Sequence, residues 1–425
     1  MAAMGFKPGQ VPSPGGALAV LTGLNLLNYL DRYIPGAVLP DIKASLHITD
    51  SQAGWLPMVF ILTFALVSPV MGWLGDRRSR FGLAAAAVFV WSLATVGSGL
   101  AGTLAAMVLA RALTGVGEAG YVVVTPSLLS DFYPPDRRGR VLGFFYAAIP
   151  VGSAAGFLVG GEVSHHLGWR AAFFVAGAPG AALAALLLVF RDPPRGAHDA
   201  IAPTGQITVA EALRALRART SYLVNTASQT IYTFTMGGLA FWMPTYFQRV
   251  RHLPLRVADL GFGAVLVIAG FVGTIAGGNA GDRLARRRPD GHFIVSALAL
   301  VASLPFTLVA LLHPSPAIFW PAMFVTLTLL FVNTGPLNAA MVNVLPSALR
   351  ARGFAYYTFV MHLLGDAIAP KIVGVASDRV GLATPVLAIG LLPVLAGLVL
   401  WAGRGALRRD LAAAGATPAA PAAAV

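Results

Sequence analysis

Apolar residues run in long blocks along this chain, and short polar intervals separate them. About 20 apolar residues in helical form cross a ~30 Å hydrocarbon core at about 1.5 Å per residue. Blocks of that kind are predicted at 16–39, 51–75, 82–102, 104–133, 139–163, 167–190, 221–247, 257–281, 293–313, 317–346, 353–375 and 382–403. The pattern predicts an all-α integral membrane protein with 12 transmembrane helices. The longest polar interval, Arg191 to Thr220, follows the sixth block. It divides the chain into an N-terminal six-helix bundle (1–190), a cytoplasmic linker (191–220) and a C-terminal six-helix bundle with its tail (221–425). Inside the linker, "VAEALRALRAR" puts Val209, Leu213 and Leu216 on one helical face and Arg214, Arg217 and Arg219 elsewhere. That spacing fits an interfacial amphipathic helix, and equally a solvated linker.

Composition supports the pattern. Of 425 residues, 57% are hydrophobic and 11% charged, with a mean hydropathy of +0.73, which excludes an ordinary soluble globule. The first block holds Asn25, Asn28, Asp31 and Arg32 and ends without a small-residue cleavage pattern, so it reads as a span rather than a cleaved signal. The net charge of +13 raises the question of nucleic acid. With the amino terminus inside, however, the cytoplasmic segments hold 21 of the 30 Lys and Arg. This is the positive-inside bias rather than a nucleic-acid patch, and it puts both termini in the cytoplasm. The absence of cysteine excludes disulfide and thiol chemistry. The preference for Arg over Lys, with abundant Ala and Gly, points to a GC-rich bacterium and its inner (plasma) membrane.

The two halves carry the same punctuation. Gly72-Trp-Leu-Gly75-Asp76-Arg77-Arg-Ser-Arg80 follows the second block, and Gly278-Asn-Ala-Gly281-Asp282-Arg283-Leu-Ala-Arg286 follows the eighth. Pro134, Arg138 and Arg140 after the fourth block match Pro346, Arg350 and Arg352 after the tenth. These GxxGDRxxR loops resemble the signature of the major facilitator superfamily, in which two six-helix bundles rock around a central site. The resemblance implies a gating role for Asp76 and Arg77, with Arg77 pairing an acid at the inner end of the fourth helix, here Asp131. Asp282 and Arg283 are the counterparts in the second loop. Positive charge that merely fixes topology would leave the same residues. In the fifth block, Gly143, Gly152, Gly156, Gly160 and Gly161 resemble the superfamily's antiporter motif, with Phe157 in the place of its proline. Close helix packing alone also explains such a row of glycines.

Charges inside spans cost about 2.5–3.5 kcal/mol each on insertion scales and default to function. The candidates are Asp31 and Arg32, Arg111 and Glu118, and Asp366 and Lys371. Asp31 and Arg32 are adjacent, point about 100° apart, and each need a partner on another helix. Arg111 and Glu118 share one face, roughly 10 Å apart along the axis. Counted from the outer ends, Asp31 and Arg111 lie level, and Glu118 lies deeper, beside Asn25 or Asn28 if the first and fourth helices touch. Arginines stay charged while a buried carboxyl can titrate, so Glu118 and Asp31 are the proton-switch candidates and Arg32 and Arg111 the anion anchors or counter-ions. A static network holding two helices in register is the competing reading. Gly115, Gly117 and Gly120 let another helix approach beside Glu118. His362 and Asp366 stand one turn apart, as a hydrogen-bonded pair or a second protonation site, without the further ligands that a metal needs. In the seventh block Asn225, Ser228, Gln229, Thr230, Tyr232 and Thr233 suggest a cavity lining or helix-to-helix hydrogen bonding.

The stretches "NYLDRYIPGAVLPDI", "RALTGVGEAGY", "RRGRVLGFFYAAIPVGSAAGF" and "HLLGDAIAP" together resemble the spinster family of lipid transporters. The resemblance spans essentially the whole chain. It implies a secondary transporter, not an enzyme, that moves a lysophospholipid or a sphingosine-1-phosphate-like lipid with protons by alternating access. Glu118, Asp31 and Arg32 carry over as its functional residues, and Asn28, Tyr232, His362 and Asp366 join Arg32 and Arg111 as substrate or counter-ion candidates. No cofactor, metal or catalytic residue is expected; the expected partners are the lipid substrate, protons and membrane lipids, and the expected state is a monomer. A proton-coupled exporter of drugs or organic anions is the alternative.

Overall fold

The computed structural model describes residues 10–195 and 209–414. Residues 196–208 of the linker and the end of the C-terminal tail lie outside the described residues. The first half contains α1 (Pro14–Ala37), α2 (Leu39–Leu46), α3 (Asp50–Ala53), α4 (Trp55–Arg77), α5 (Arg80–Leu100), α6 (Leu104–Phe132), α7 (Pro135–Leu167) and α8 (Trp169–Leu187). After the linker helix α9 (Val209–Arg217) come α10 (Thr220–Arg249), α11 (Leu255–Ala285), α12 (Gly291–Leu312), α13 (Pro316–Phe331), α14 (Thr334–Val344), α15 (Ser347–Met361), a π turn (His362–Asp366), α16 (Ala369–Val380), α17 (Ala383–Ala402) and α18 (Arg404–Ala413).

Ten helical segments among the described residues are long and apolar enough to cross a membrane. The expected first and seventh spans, α1 and α10, have 24 and 30 residues but are more polar than the rest. They are therefore consistent with the expected twelve, and each opens one half of the chain. Starts are set by short polar side chains that satisfy free backbone N–H groups. Ser13 accepts from Gly16 N, Ser79 from Gly82 N and Thr103 from Ala106 N, each at 3.2 Å.

Two compact units emerge, and they are not simply the two chain halves. The first takes the described residues of Met1–Thr204 together with Ala240–Gly263 and Pro370–Arg379; the second takes the described remainder. Packing in lipid relies on close fit rather than on expulsion of water, so small residues sit where helices meet. In the first unit, a Cβ at Gly117 would stand 2.5 Å from Trp91 N of α5, and one at Gly120 2.6 Å from Ala87 Cβ. Gly115 is pressed in the same way against Phe60 and Thr63 of α4. All three glycines of "RALTGVGEAGY" thus mark close helix approaches. Gly152 and Gly156 do the same for α7 against α1, meeting the carbonyls of Leu26 and Leu30. Phe157, in the place of the motif's proline, is fully buried against Phe262. Trp91 packs edge-on against Tyr121, 5.5 Å between centroids, and the Tyr121 hydroxyl donates to the Leu21 carbonyl, which fixes α6 against α1.

The segment after α8 clasps the first GxxGDRxxR loop. Asp192 accepts from Arg80 N (2.6 Å), Phe81 N (2.9 Å) and Ser79 Oγ (3.1 Å), capping α5. Arg195 donates to the carbonyls of Gly75, Asp76 and Arg78 at the end of α4. In the second unit, α18 plays the corresponding part. Asp410 accepts from Ser221 N (2.8 Å) and Oγ (2.6 Å) at the start of α10, and Arg408 reaches Asp290, at the start of α12, at 2.7 Å. In α9, Ala212 and Leu216 are buried, with Gly353 of α15 packed beside Leu216. Leu216 is thus covered by protein, while Leu213 on the same face stays part-exposed.

Candidate functional site

Four ionisable side chains meet inside the first unit, in two crossed pairs between α1 and α6. Asp31 Oδ1 lies 3.7 Å from Arg111 Nη1, and Asp31 Oδ2 accepts from Thr95 Oγ1 of α5 at 2.6 Å. Arg32 donates to Glu118 Oε2 from Nη2 (2.6 Å) and Nε (3.2 Å). Adjacent residues on α1 are thus served by two residues of α6 that stand two turns apart. The predicted level placement of Asp31 and Arg111 is what the geometry shows. Glu118 takes Arg32, one turn along α1 from Asn28, while Asn25 donates to the Phe145 carbonyl at 3.0 Å.

The two pairs differ in exposure. Asp31, Arg111 and Glu118 are sealed, while the Arg32 side chain keeps 22% of its surface open. Arg111 stands as a counter-ion, and Arg32 is the one of the four that something outside the cluster can touch. The Phe60 ring is a neighbour of both guanidiniums, 5.0 Å from that of Arg32 and 4.8 Å from that of Arg111. Tyr29 and Phe64 complete the aromatic surround of Arg32 at 4.7 and 5.5 Å, distances at which cation–π attraction operates. Polar capacity is left over: Glu118 Oε1, Asp31 Oδ1, Arg111 Nε and both amide atoms of Asn28 lack hydrogen-bond partners among the described residues. Sequence reasoning missed Thr95 and Phe60. Nothing in sequence separates this threonine or this phenylalanine from the others in their spans.

The loop residues arrange differently from the expected pairing. Asp131 is buried and pairs with Arg80 at 2.5 Å, rather than with Arg77. Arg77 ends α4 on the surface and stacks on Trp73 at 4.3 Å, whereas Arg80 opens α5 facing inward, so the last arginine of GxxGDRxxR reaches the acid. Asp76, Asp282 and Arg283 are exposed.

A second cluster, of which the sequence singled out Lys371 alone, joins the ends of helices at the α2–α3 corner of the first unit. Asp50 accepts from Arg249 (2.7 and 2.8 Å) and Ser377 Oγ (2.6 Å) and pairs with Lys43. Asp378 accepts from Asp50 N and Ser51 N at 2.9 Å, and Lys371 donates to Ser51 O at 2.7 Å. Burial, together with the Arg249 charge, pushes the Lys43 ammonium down to about 8.

In the second unit, His362 Nδ1 lies 2.9 Å from Asp366 Oδ2 inside the π turn that separates α15 from α16. Irregular turns of this kind recur at functional positions in helices. Gly237 of α10 gives the space that Asp366 occupies. Tyr232 is buried, Asn225 donates to Leu337 O (2.9 Å), and Ser228 donates to Ala396 O (3.0 Å). Part of the polar row on α10 therefore ties helices together.

Long apolar helices, matching loops in two halves and a charged pair sunk within the first define a membrane transporter, and the chain belongs to the Major Facilitator Superfamily, whose sequence model matches residues 21–370. Within that class it is a spinster-family protein. It is 35% identical over 393 residues to protein spinster homolog 1 of Homo sapiens, covering 86% of this chain and 74% of the relative. Protein spinster homolog 3 of Danio rerio is 35% identical over 381 residues, covering 85% and 76%. The fold also matches the crystal structure of a bacterial homologue of the human lysosomal transporter spinster, in an inward-facing, unoccupied conformation. The TM-score is 0.86 over 94% of this chain and 98% of that one; at 22% identity this likeness is one of fold. The protein is thus a multi-pass membrane transporter and not an enzyme.

Proposed function

We propose that the protein is a proton-coupled secondary transporter of a lysophospholipid or sphingosine-phosphate-like amphipathic lipid, working by alternating access. The observation that carries this reading is the Arg32–Glu118 pair, 2.6 Å long, sealed on the carboxylate side and open on the guanidinium side. Arginine remains charged, whereas a carboxyl can accept a proton. Protonation of Glu118 ends its ionic hold on Arg32. The freed guanidinium then presents a planar fork suited to a phosphate head group. Tyr29, Phe60 and Phe64 offer an apolar surround for the start of an acyl chain. Proton and anionic head group thereby favour each other, one on Glu118 and the other on Arg32. The sealed Asp31–Arg111 pair holds α1 and α6 in register through the cycle, with Asp31 as a second carboxyl able to take a proton. His362, Asp366, Asn28 and Tyr232 act as polar contacts for the substrate. Asp76, Arg77, Asp131, Asp282 and Arg283 act in gating, together with the Asp50 cluster. The protein works as a monomer in a bacterial plasma membrane with both termini cytoplasmic.

Uptake of a labelled lysophospholipid into proteoliposomes tests the reading. Wild-type uptake should rise as pH falls, and Glu118→Gln should bind the lipid but lose that dependence. An unchanged pH profile in Glu118→Gln removes the proton from the mechanism. Competition by organic anions or dyes, with no competition by lysophospholipid, replaces the lipid by those substrates.

A further inference from the structure

Asp259, in the first turns of α11, is fully buried, and neither carboxyl oxygen has a hydrogen-bond partner among the described residues. It is pressed against Gly161 of α7, where a Cβ would stand 2.9 Å from Oδ2 and 3.0 Å from the Asp259 Cβ. The last glycine of the row in the fifth span therefore makes room for an acid. Next to this contact lies a cavity of about 490 Å³, lined by Asp41, Gly161, Ser164, His165 and Arg256 among others.

The charges around Asp259 do not neutralise it. Asp41 of α2, held by Ser164 Oγ at 2.6 Å, is its acidic neighbour. On α11 itself, Arg256 is turned to Glu162 of α7 at 2.6 Å, and His166 lies 3.7 Å from the same glutamate. His165 lines the cavity, and on α10 Arg249 is committed to Asp50. A bare carboxylate buried without donors, beside a second carboxylate, is heavily penalised, and a bound proton removes the penalty. A calcium ion needs 6–8 oxygens and magnesium a near-octahedral set. Asp259, Asp41 and Ser164 offer too few.

We propose that Asp259 is a proton-binding site of this transporter, separate from Glu118 and reached through the cavity past Asp41 and His165. The bound proton lets α11 seat on Gly161. Its loss places a negative charge in that contact and loosens the first turns of α11 from α7. The proposal does not depend on Glu118 being the coupling acid.

Thermal unfolding of the purified full chain in detergent, from acidic to alkaline pH, tests it. A carboxyl that is neutral in the folded state contributes stability present at low pH and lost as pH rises. The melting temperature of the wild type should therefore fall relative to that of Asp259→Asn, which keeps the shape and cannot ionise, by a margin that grows with pH. The Lys43 slope has the opposite sign, is common to both proteins, and cancels in the difference. Parallel curves overturn the proposal. If Asp259→Asn does not fold, Asp41→Asn decides. Removing the neighbouring charge should move the wild-type loss of stability to lower pH and make it smaller, and an unmoved loss overturns the proposal.

Discussion

The two units were built to one repeat and equipped differently. In the first, α1 meets α6 through four ionisable side chains, three of them sealed. In the second, α10 offers amides and hydroxyls, and the acid of the π turn, Asp366, is answered by a histidine on its own helix. Charge that crosses between helices in a low-dielectric interior makes the position of one helix depend on the protonation of another. A pair within one helix does not. The difference teaches where to look for a coupling step: in the half whose charges bridge elements.

Breaking that contrast begins with Arg32. Arg32→Met leaves Glu118 buried without its partner, a loss of about 3–5 kcal/mol for a broken buried pair, and should abolish lipid binding. Adding Glu118→Gln should restore part of the stability and none of the binding, which thermal melts and lipid titration separate. The next effect concerns the sealed pair. Thr95→Val removes the 2.6 Å donor to Asp31, and a lost hydrogen bond to a charged group costs about 1.5–3 kcal/mol, read as a lower melting temperature at unchanged lipid affinity. The clasps come third: Asp192→Ala and Asp410→Ala each remove a helix cap, about 0.5–2 kcal/mol, and near-equal values would show that the two units are held alike even though their interiors differ. The smallest effect belongs to the second unit. His362→Gln should cost about 0–1 kcal/mol, as a half-exposed pair within one helix does.

Much of this was legible in the sequence, for reasons that vary from residue to residue. Apolar block length announces spans, so the helices and their two sets appear in the sequence. The charges of α1 and α6 stood out because membranes tax charge, and the depth count placed Asp31 level with Arg111. The same count did not name Arg32 as the partner of Glu118, because counting rises along two helices says nothing about side-chain reach. Arg77 was favoured over Arg80 for Asp131 because a motif records which residues recur, while the turn after Ser79 decides which of them faces inward. The Asp50 cluster, the paired clasps and the Gly161–Asp259 contact join residues scores to hundreds of positions apart. No local pattern encodes them.

Phe60 has one more consequence. Two arginines and two carboxylates confined together could trade partners, Arg111 answering Glu118 and Arg32 answering Asp31. Whichever acid each cation answers, both keep the same ring for a neighbour, 5.0 Å from Arg32 and 4.8 Å from Arg111. One aromatic side chain is thus common to both pairs, and truncating it disturbs the two together.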